Sequence, residues 1–172
     1  GGVGSNAVAI LAGLGYGVTA LVKEGQESTH DYLSALGAND FSGGDAWSTD
    51  PAPLESQKWA GAVDTVGTKV LARTLSEMKY GGCVAACGLA GGFDLNTTVM
   101  PFILRGVSLR GVDSVWCPYQ RRVEAWDRLV TDIPDSALAE INQVIRLDEV
   151  PHYAKEILEG QVTGHIVVDV NA

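Results

Sequence analysis

Gly1-Gly2-Val3-Gly4-Ser5-Asn6-Ala7-Val8 reads as the back half of a glycine-rich phosphate loop running into a helix. In such a loop, glycines of the Gly1 and Gly2 kind let backbone approach a pyrophosphate, and one of the Gly4 kind lets the helix pack tightly on a sheet. The amides of residues 2–5 face the phosphates with the helix dipole behind them. A short glycine run is also an ordinary turn, so the residues that follow have to decide. Residues 4–14 are small and apolar, as suits a helix lying against a sheet, and Gly15 stops it. Val18-Thr19-Ala20-Leu21-Val22 is then a nearly all-apolar run, the mark of a parallel strand buried on both faces. A loop of this kind normally follows a strand, and none stands before Gly1. The chain is therefore expected to be the C-terminal portion of something larger.

Outward from that stretch, elements alternate. A helix is predicted over residues 29–36, with Ser28 as its N-cap and Gly37 as its stop. Asp40-Phe41 is a short strand, and residues 42–58, with Pro51 and Pro53, form a long polar loop. Strand 62–66, helix 68–78, a turn at Gly81-Gly82 and strand Cys83–Cys87 follow. Gly88-Leu89-Ala90-Gly91-Gly92 is a second glycine-rich turn. Residues 106–112 alternate as a strand should, Pro118 opens a helix over 119–131, and Asp135 or Ser136 caps a short one. Strand 144–147, helix 149–159 and strand 165–170 complete the pattern. Strand–helix alternation with short connections gives an α/β fold, a Rossmann-type doubly wound parallel sheet. In such a sheet the strand that feeds the glycine loop is central, and here it is lacking. The neighbouring edges, at 18–22 and 62–66, either receive residues that precede Gly1 or meet in a rearranged sheet.

Composition limits the function classes. The chain has 172 residues, 46% of them hydrophobic, and a net charge of −9 with no Lys/Arg block. That argues against nucleic acid or an anionic membrane surface as partner, while leaving phosphate binding by backbone amides open. No apolar run reaches the roughly 18–20 residues of a membrane-spanning helix. Three cysteines, Cys83, Cys87 and Cys117, have no framework spacing and point to reduced thiols in a reducing compartment such as the cytoplasm. At least one of Cys83 and Cys87 is expected in the core.

The end of the second strand decides the cofactor. An acid there holds a ribose 2′-hydroxyl, and a base nearby favours a 2′-phosphate. This strand runs into Val22-Lys23-Glu24-Gly25-Gln26. Lys23 suits a phosphate, Glu24 can read the hydroxyl, and Lys23 can equally be a solvated lysine; NADP is favoured over NAD. The turn at 88–92 lies beyond the carboxyl end of a buried strand, where open parallel sheets bind ligands, so it is a candidate cradle for the nicotinamide half. Glycine there also serves a tight turn, and both can hold together. The catalytic inventory is thin. His30, His152 and His165 have no partners at metal-ligand spacing, and no nucleophile elbow or paired carboxylates stand out. Trp47, Trp59, Trp116 and Trp126 read as packing or lid residues. Tyr119, Arg121 and Arg122 form either a small anion patch or a solvated helix face.

Six longer stretches carry a resemblance. They are Gly1–Ser5 (GGVGS), Glu27–Gly37 (ESTHDYLSALG), Trp59–Gly67 (WAGAVDTVG), Lys79–Phe93 (KYGGCVAACGLAGGF), Thr97–Arg105 (TTVMPFILR) and Gly111–Ser114 (GVDS). Together they resemble the zinc-free quinone oxidoreductase branch of the medium-chain dehydrogenase/reductase superfamily, and within it the acrylyl-CoA reductase (NADPH) group. The resemblance covers essentially the whole chain, and the long middle stretches are its specific part.

It implies a fold and a chemistry. Residues 1–118 would be most of an NADP-binding Rossmann domain, and 119–172 a segment returning to a GroES-like catalytic domain that the sequence lacks. The family reduces the activated C=C bond of acrylyl-CoA with NADPH, and related members reduce quinones. Apart from the resemblance, the strand at 106–112 is suited to pair edge to edge across a homodimer, in the enzyme or in a non-catalytic module alike. By matching position, Gly1, Gly2, Val3 and Gly4 would hold the pyrophosphate. Lys23, Gly25 and Gln26 would meet the adenosine 2′-phosphate, and Leu89, Ile103 and Ser114 would line the nicotinamide side. Two departures stand out: Gln26 where the family often has a base, and His165 after Gly164 where it tends to have Arg or Lys. No residue here supplies an enolate or proton donor, so the fragment is expected to be inactive alone. The alternative is a non-catalytic nucleotide-binding or dimerisation module. A methyltransferase on the same fold is disfavoured by Lys23 and by the family stretches.

Overall fold

Short apolar runs between glycines become short parallel strands. The structure, a computed structural model, describes residues 1–172. Its strands are β1 (Thr19–Leu21), β2 (Asp40–Ser42), β3 (Trp59–Asp64), β4 (Met78–Ala86), β5 (Ser108–Gly111), β6 (Asn142–Arg146) and β7 (His165–Asp169). The α-helices are α1 (Gly2–Gly13), α2 (His30–Ala35), α3 (Thr68–Ser76), α4 (Met100–Arg105), α5 (Tyr119–Asp132), α6 (Asp135–Ile141) and α7 (Val150–Leu158). All the strand pairs are parallel: β1 with β2, β3 with β4, β4 with β5, and β6 with β7. β1 has no ladder partner besides β2, and β3 none besides β4.

The chain divides into two compact units. One comprises Gly1–Ser42 with Gln120–Ala172, the other Gly43–Tyr119. In the first, α1 sets Val8 and Ala9 against Val18, Ala20, Leu36, Ala137 and Ile141. Gly15 at φ +84° ends α1, with the Tyr16 N–H reaching back to the Leu11 carbonyl at 3.0 Å. In the second, α3 lays Leu71 and Leu75 on Met78, Val84 and Val107.

A polar frame braces this second unit. Buried Glu77 accepts from Lys58 Nζ at 2.8 Å and from Trp59 Nε1 at 2.8 Å. The Arg105 guanidinium donates to the carbonyls of Ser76 at 2.8 Å, Met78 at 3.1 Å and Glu55 at 2.6 Å.

Several expectations are corrected. Ser28 does not cap α2; it sits in a single 3₁₀ turn, Glu27–Thr29, and the helix has no side-chain cap. Pro134, not Asp135 or Ser136, occupies the N-cap of α6. The Gly81-Gly82 pair lies inside β4, where the register slips from Trp59↔Met78 to Gly61↔Cys83. A β-carbon at Gly82 would stand 3.0 Å from the Ala60 carbonyl oxygen, so glycine permits the irregularity. None of the three cysteines is in the core: Cys83 is exposed, and Cys87 and Cys117 are half-buried. The period-2 alternation of β4 turns Val84 inward and Cys83 outward. The opposite face of this sheet is open, with Val63 43% exposed, unlike a strand covered on both sides.

Candidate functional site

The first candidate surface is the start of α1. Its opening turn carries amides that have no partner four residues earlier, the usual state of a helix N-terminus. Ser5 is buried, and both its N–H (3.0 Å) and its hydroxyl (3.1 Å) donate to the Gly1 carbonyl. Asn6 Nδ2 donates to the Gly2 carbonyl at 2.9 Å. These bonds occupy the Gly1 and Gly2 carbonyls. Nothing stands within 4 Å of a β-carbon built on Gly1 or Gly4. Gly2 is different: a β-carbon there would run into the imidazole of His165. His165 opens β7 and follows Gly164, whose own β-carbon position is filled by the Ile141 carbonyl at φ +74°. Glycine at 164 thus brings the imidazole onto the glycine loop.

The second surface of the same unit is the turn that leaves β1. Lys23 and Glu24 are exposed, Gly25 takes φ +81°, and the Gln26 N–H donates to the Lys23 carbonyl at 3.1 Å. The Gln26 side-chain amide donates to the Gly160 carbonyl at 2.8 Å, just beyond α7. The Gly25 N–H donates to Glu27 Oε1 at 3.2 Å. The sequence reading missed both of these engagements, because they depend on where residue 160 returns and on how the Glu27 side chain folds back.

In the second unit, two loops at the carboxyl end of the sheet interlock. After β3, Asp64 folds its carboxylate back on its own turn, accepting the Gly67 N–H at 3.0 Å and the Val66 N–H at 3.4 Å. Burial pushes the Asp64 carboxyl up from its ordinary range, and the Gly67 and Val66 amides pull the other way. After β4, the Cys87 N–H donates to the Asp64 carbonyl at 2.9 Å, Ala90 to Thr65 at 3.3 Å and Gly91 to Val66 at 2.8 Å. A β-carbon at Gly88 would run into the Thr65 carbonyl oxygen, and one at Gly67 would stand 2.6 Å from that of Gly92. Thr68 adopts φ +50°, a strained value for a β-branched residue. The Cys87 thiol donates to the Asp64 carbonyl at 3.3 Å, and burial, then the Asp64 charge, raise its pKa.

The second glycine loop therefore spends its amides at 90 and 91 on its neighbour. What it offers outward is the Leu89 side chain, 65% exposed. Ile103 is 72% exposed on α4, and Ser114 is exposed after β5. Of the sequence-derived residues, Gly1, Gly2, Val3, Gly4, Lys23, Gly25 and Gln26 fall in the first unit, and Leu89, Ile103 and Ser114 in the second. Asp64 and Thr68 went unnoticed in the sequence, although an Asp three residues before a glycine at a strand end is a turn signal. Trp59 is fixed by Glu77, whereas Trp116 and Trp126 are largely exposed rather than packed.

No family model matches the chain. It is 56% identical over 171 residues to an Escherichia coli (strain K12) protein described as "Probable acrylyl-CoA reductase AcuI", covering 99% of this chain and 52% of that protein. Among solved structures, the yhdH oxidoreductase of Salmonella enterica, in complex with NADP, superposes with a TM-score of 0.95 at 57% identity, covering 99% of this chain and 52% of that one. The yhfP protein of Bacillus subtilis, with NAD bound, gives 0.90 at 43% identity, with 99% and 52% covered. The chain thus spans about half the length of the relatives it matches. Its parallel α/β fold is that of their C-terminal, NADP-binding half, and the chain belongs to the medium-chain dehydrogenase/reductase superfamily.

Proposed function

We propose that this chain is the cofactor-binding portion of an NADPH-dependent oxidoreductase that reduces the activated C=C bond of acrylyl-CoA-like thioesters. The observation that carries this reading is the glycine-rich first turn of α1, in a chain 57% identical to a protein solved with NADP. Space for a group pressed against backbone, at the positive end of a 12-residue helix, fits a pyrophosphate. Gly1, Gly2, Val3 and Gly4 hold it. In the 2′-phosphate turn Lys23 carries the charge, with Gly25 and Gln26 forming the bend. Leu89, Ile103 and Ser114 line the nicotinamide side.

NADPH supplies the hydride, which goes to the β-carbon of the conjugated alkene, and negative charge then develops on the thioester oxygen. The residues here bind and orient, and the donors that stabilise that charge and deliver the proton come from the other half of such proteins. On this reading the fragment alone is inactive. Residues 1–118 make up the cofactor domain, and 119–172 return to the catalytic domain. Quinones are the alternative acceptor. The unpaired edge of β5 supports a homodimer joined strand to strand. No helix is long and apolar enough to cross a membrane, which is compatible with a cytoplasmic enzyme.

Calorimetric titration with NADPH and NADH tests the cofactor assignment. Binding of NADPH, tighter than NADH, is expected; no heat with either rejects it. Acrylyl-CoA-dependent NADPH oxidation by the full-length enzyme tests the substrate class, and turnover of quinones alone would replace it.

A further inference from the structure

The turn that leaves β1 holds two carboxylates for one ammonium group: Glu24 and Glu27 against Lys23. One of the carboxylates is already at work. Glu27 Oε1 sits 3.2 Å from the Gly25 nitrogen, at a residue with φ +81°. Hydrogen bonds from the Glu27 N–H and then from the Gly25 N–H hold this carboxyl below its ordinary range. The second neutral donor of the turn, the Gln26 side-chain amide, is spent on the Gly160 carbonyl at 2.8 Å. Thr29 Oγ1 bonds the Gln26 carbonyl at 2.7 Å and pins the bend from below.

A carboxylate oxygen on a free backbone amide makes the contact that a phosphate oxygen would make there. We infer that Glu27 is a built-in competitor for the adenosine 2′-phosphate: it takes the Gly25 amide when the ribose carries a free hydroxyl, and a 2′-phosphate has to displace it. NADH leaves the Glu27–Gly25 bond intact. NADPH must break it and bring a third anionic group beside Glu24 and Glu27, with Lys23 as the compensating cation. Lys23 therefore raises the preference for the phosphorylated cofactor and Glu27 lowers it. The assignment rests on the reading of residues 23–26 as the 2′-phosphate turn.

The test is calorimetric titration of the full-length protein, unaltered and as Glu27→Gln, Glu27→Ala and Lys23→Ala, with NADPH and NADH. Both Glu27 variants are expected to raise the NADPH-to-NADH affinity ratio by about threefold to fivefold, the size of an exposed charge interaction. Lys23→Ala is expected to lower it by a similar factor. An unchanged or lowered ratio in the Glu27 variants, with Lys23→Ala still lowering it, overturns the role of Glu27 and leaves the turn's assignment standing. A ratio that no variant moves overturns both, because the 2′ position is then read elsewhere. Absence of binding by the unaltered protein overturns both as well.

Discussion

A β-carbon placed on Gly1 or Gly4, in the loop that opens α1, meets nothing within 4 Å, whereas one placed on Gly88, in the loop after β4, runs into the Thr65 carbonyl oxygen. Both loops are short, glycine-rich and next to regular structure, and in sequence they look like two versions of one device. Their surroundings separate them. In the first, no atom of this chain lies beside Gly1 or Gly4. In the second, glycine lets two of the protein's own loops lie against each other, with Ala90 and Gly91 donating to Thr65 and Val66. Absence of a side chain allows close packing at Gly88, and at Gly4 it leaves the first turn of α1 bare for the proposed pyrophosphate.

The largest effect expected from this contrast is on Gly88→Ala. The obstructing atom is backbone, which cannot swing away as a side-chain tip does, so the 64–68 turn or the end of β4 has to shift. Overpacking of this kind costs about 2–3 kcal/mol. Urea unfolding is expected to show a lowered midpoint with an unchanged slope. A midpoint equal to that of the unaltered protein would mean that the two loops are not interlocked, and the contrast between the glycine loops would collapse.

Next in size is Arg105→Ala. Its guanidinium closes three carbonyls, those of Ser76, Met78 and Glu55, and so holds the frame beneath β4. Leaving part of that set unsatisfied costs about 2 kcal/mol. Arg105→Lys should recover only a part, since an ammonium does not reproduce the planar fork. Full recovery by lysine in the same unfolding measurement would assign the effect to charge instead of geometry.

Asp64→Asn gives a smaller, pH-dependent signature. Burial raises the Asp64 carboxyl in the folded protein above its unfolded value of about 3.9. The folded state therefore favours the protonated form. The stability Asp64 contributes is fully present below the unfolded pKa and is lost as pH rises through the raised folded value. Asparagine removes this titration, while its amide oxygen can still accept the Gly67 N–H. The stability profile from pH 4 upward should lose that decline. A profile that keeps the same slope would assign it to another carboxylate.

Much of the architecture is legible in the residues themselves. Val18–Val22, after Gly17, and Cys83–Cys87, between Gly82 and Gly88, are apolar runs too short for helices, which leaves little besides parallel strands; that one face of such a strand is open, as at Cys83, is not legible in them. Boundaries are less legible: β4 begins at Met78 because the Gly81-Gly82 pair makes an irregularity inside a strand, and a glycine pair reads equally as a turn. α4 escapes notice because Val99-Met100-Pro101-Phe102-Ile103-Leu104 is a short apolar run, and periodicity does not separate helix from strand at that length. The 88–92 loop lies at the sheet end where such loops belong. That its amides are spent on Thr65 and Val66 depends on a neighbour 23 or more residues earlier in the chain, which local pattern does not report. The Glu27–Gly25 bond is only two residues long in sequence, yet it depends on a rotamer, and sequence carries no rotamers.

The smallest effect separates the two uses of glycine most cleanly. Gly4 lies within α1, where glycine is less favourable than alanine by roughly 0.5–1 kcal/mol, and the space beside it is open. Gly4→Ala should therefore raise the unfolding midpoint slightly, the opposite sign to Gly88→Ala. A methyl group projecting into the open space beside the first turn should at the same time weaken NADPH, if that space belongs to the pyrophosphate. Stability and cofactor affinity then move in opposite directions in one variant, which packing alone does not produce. A gain in stability with unchanged NADPH affinity would place the pyrophosphate on Gly1 and Gly2 without Gly4. A loss of stability would mean that Gly4 serves packing after all, like its counterparts in the second loop.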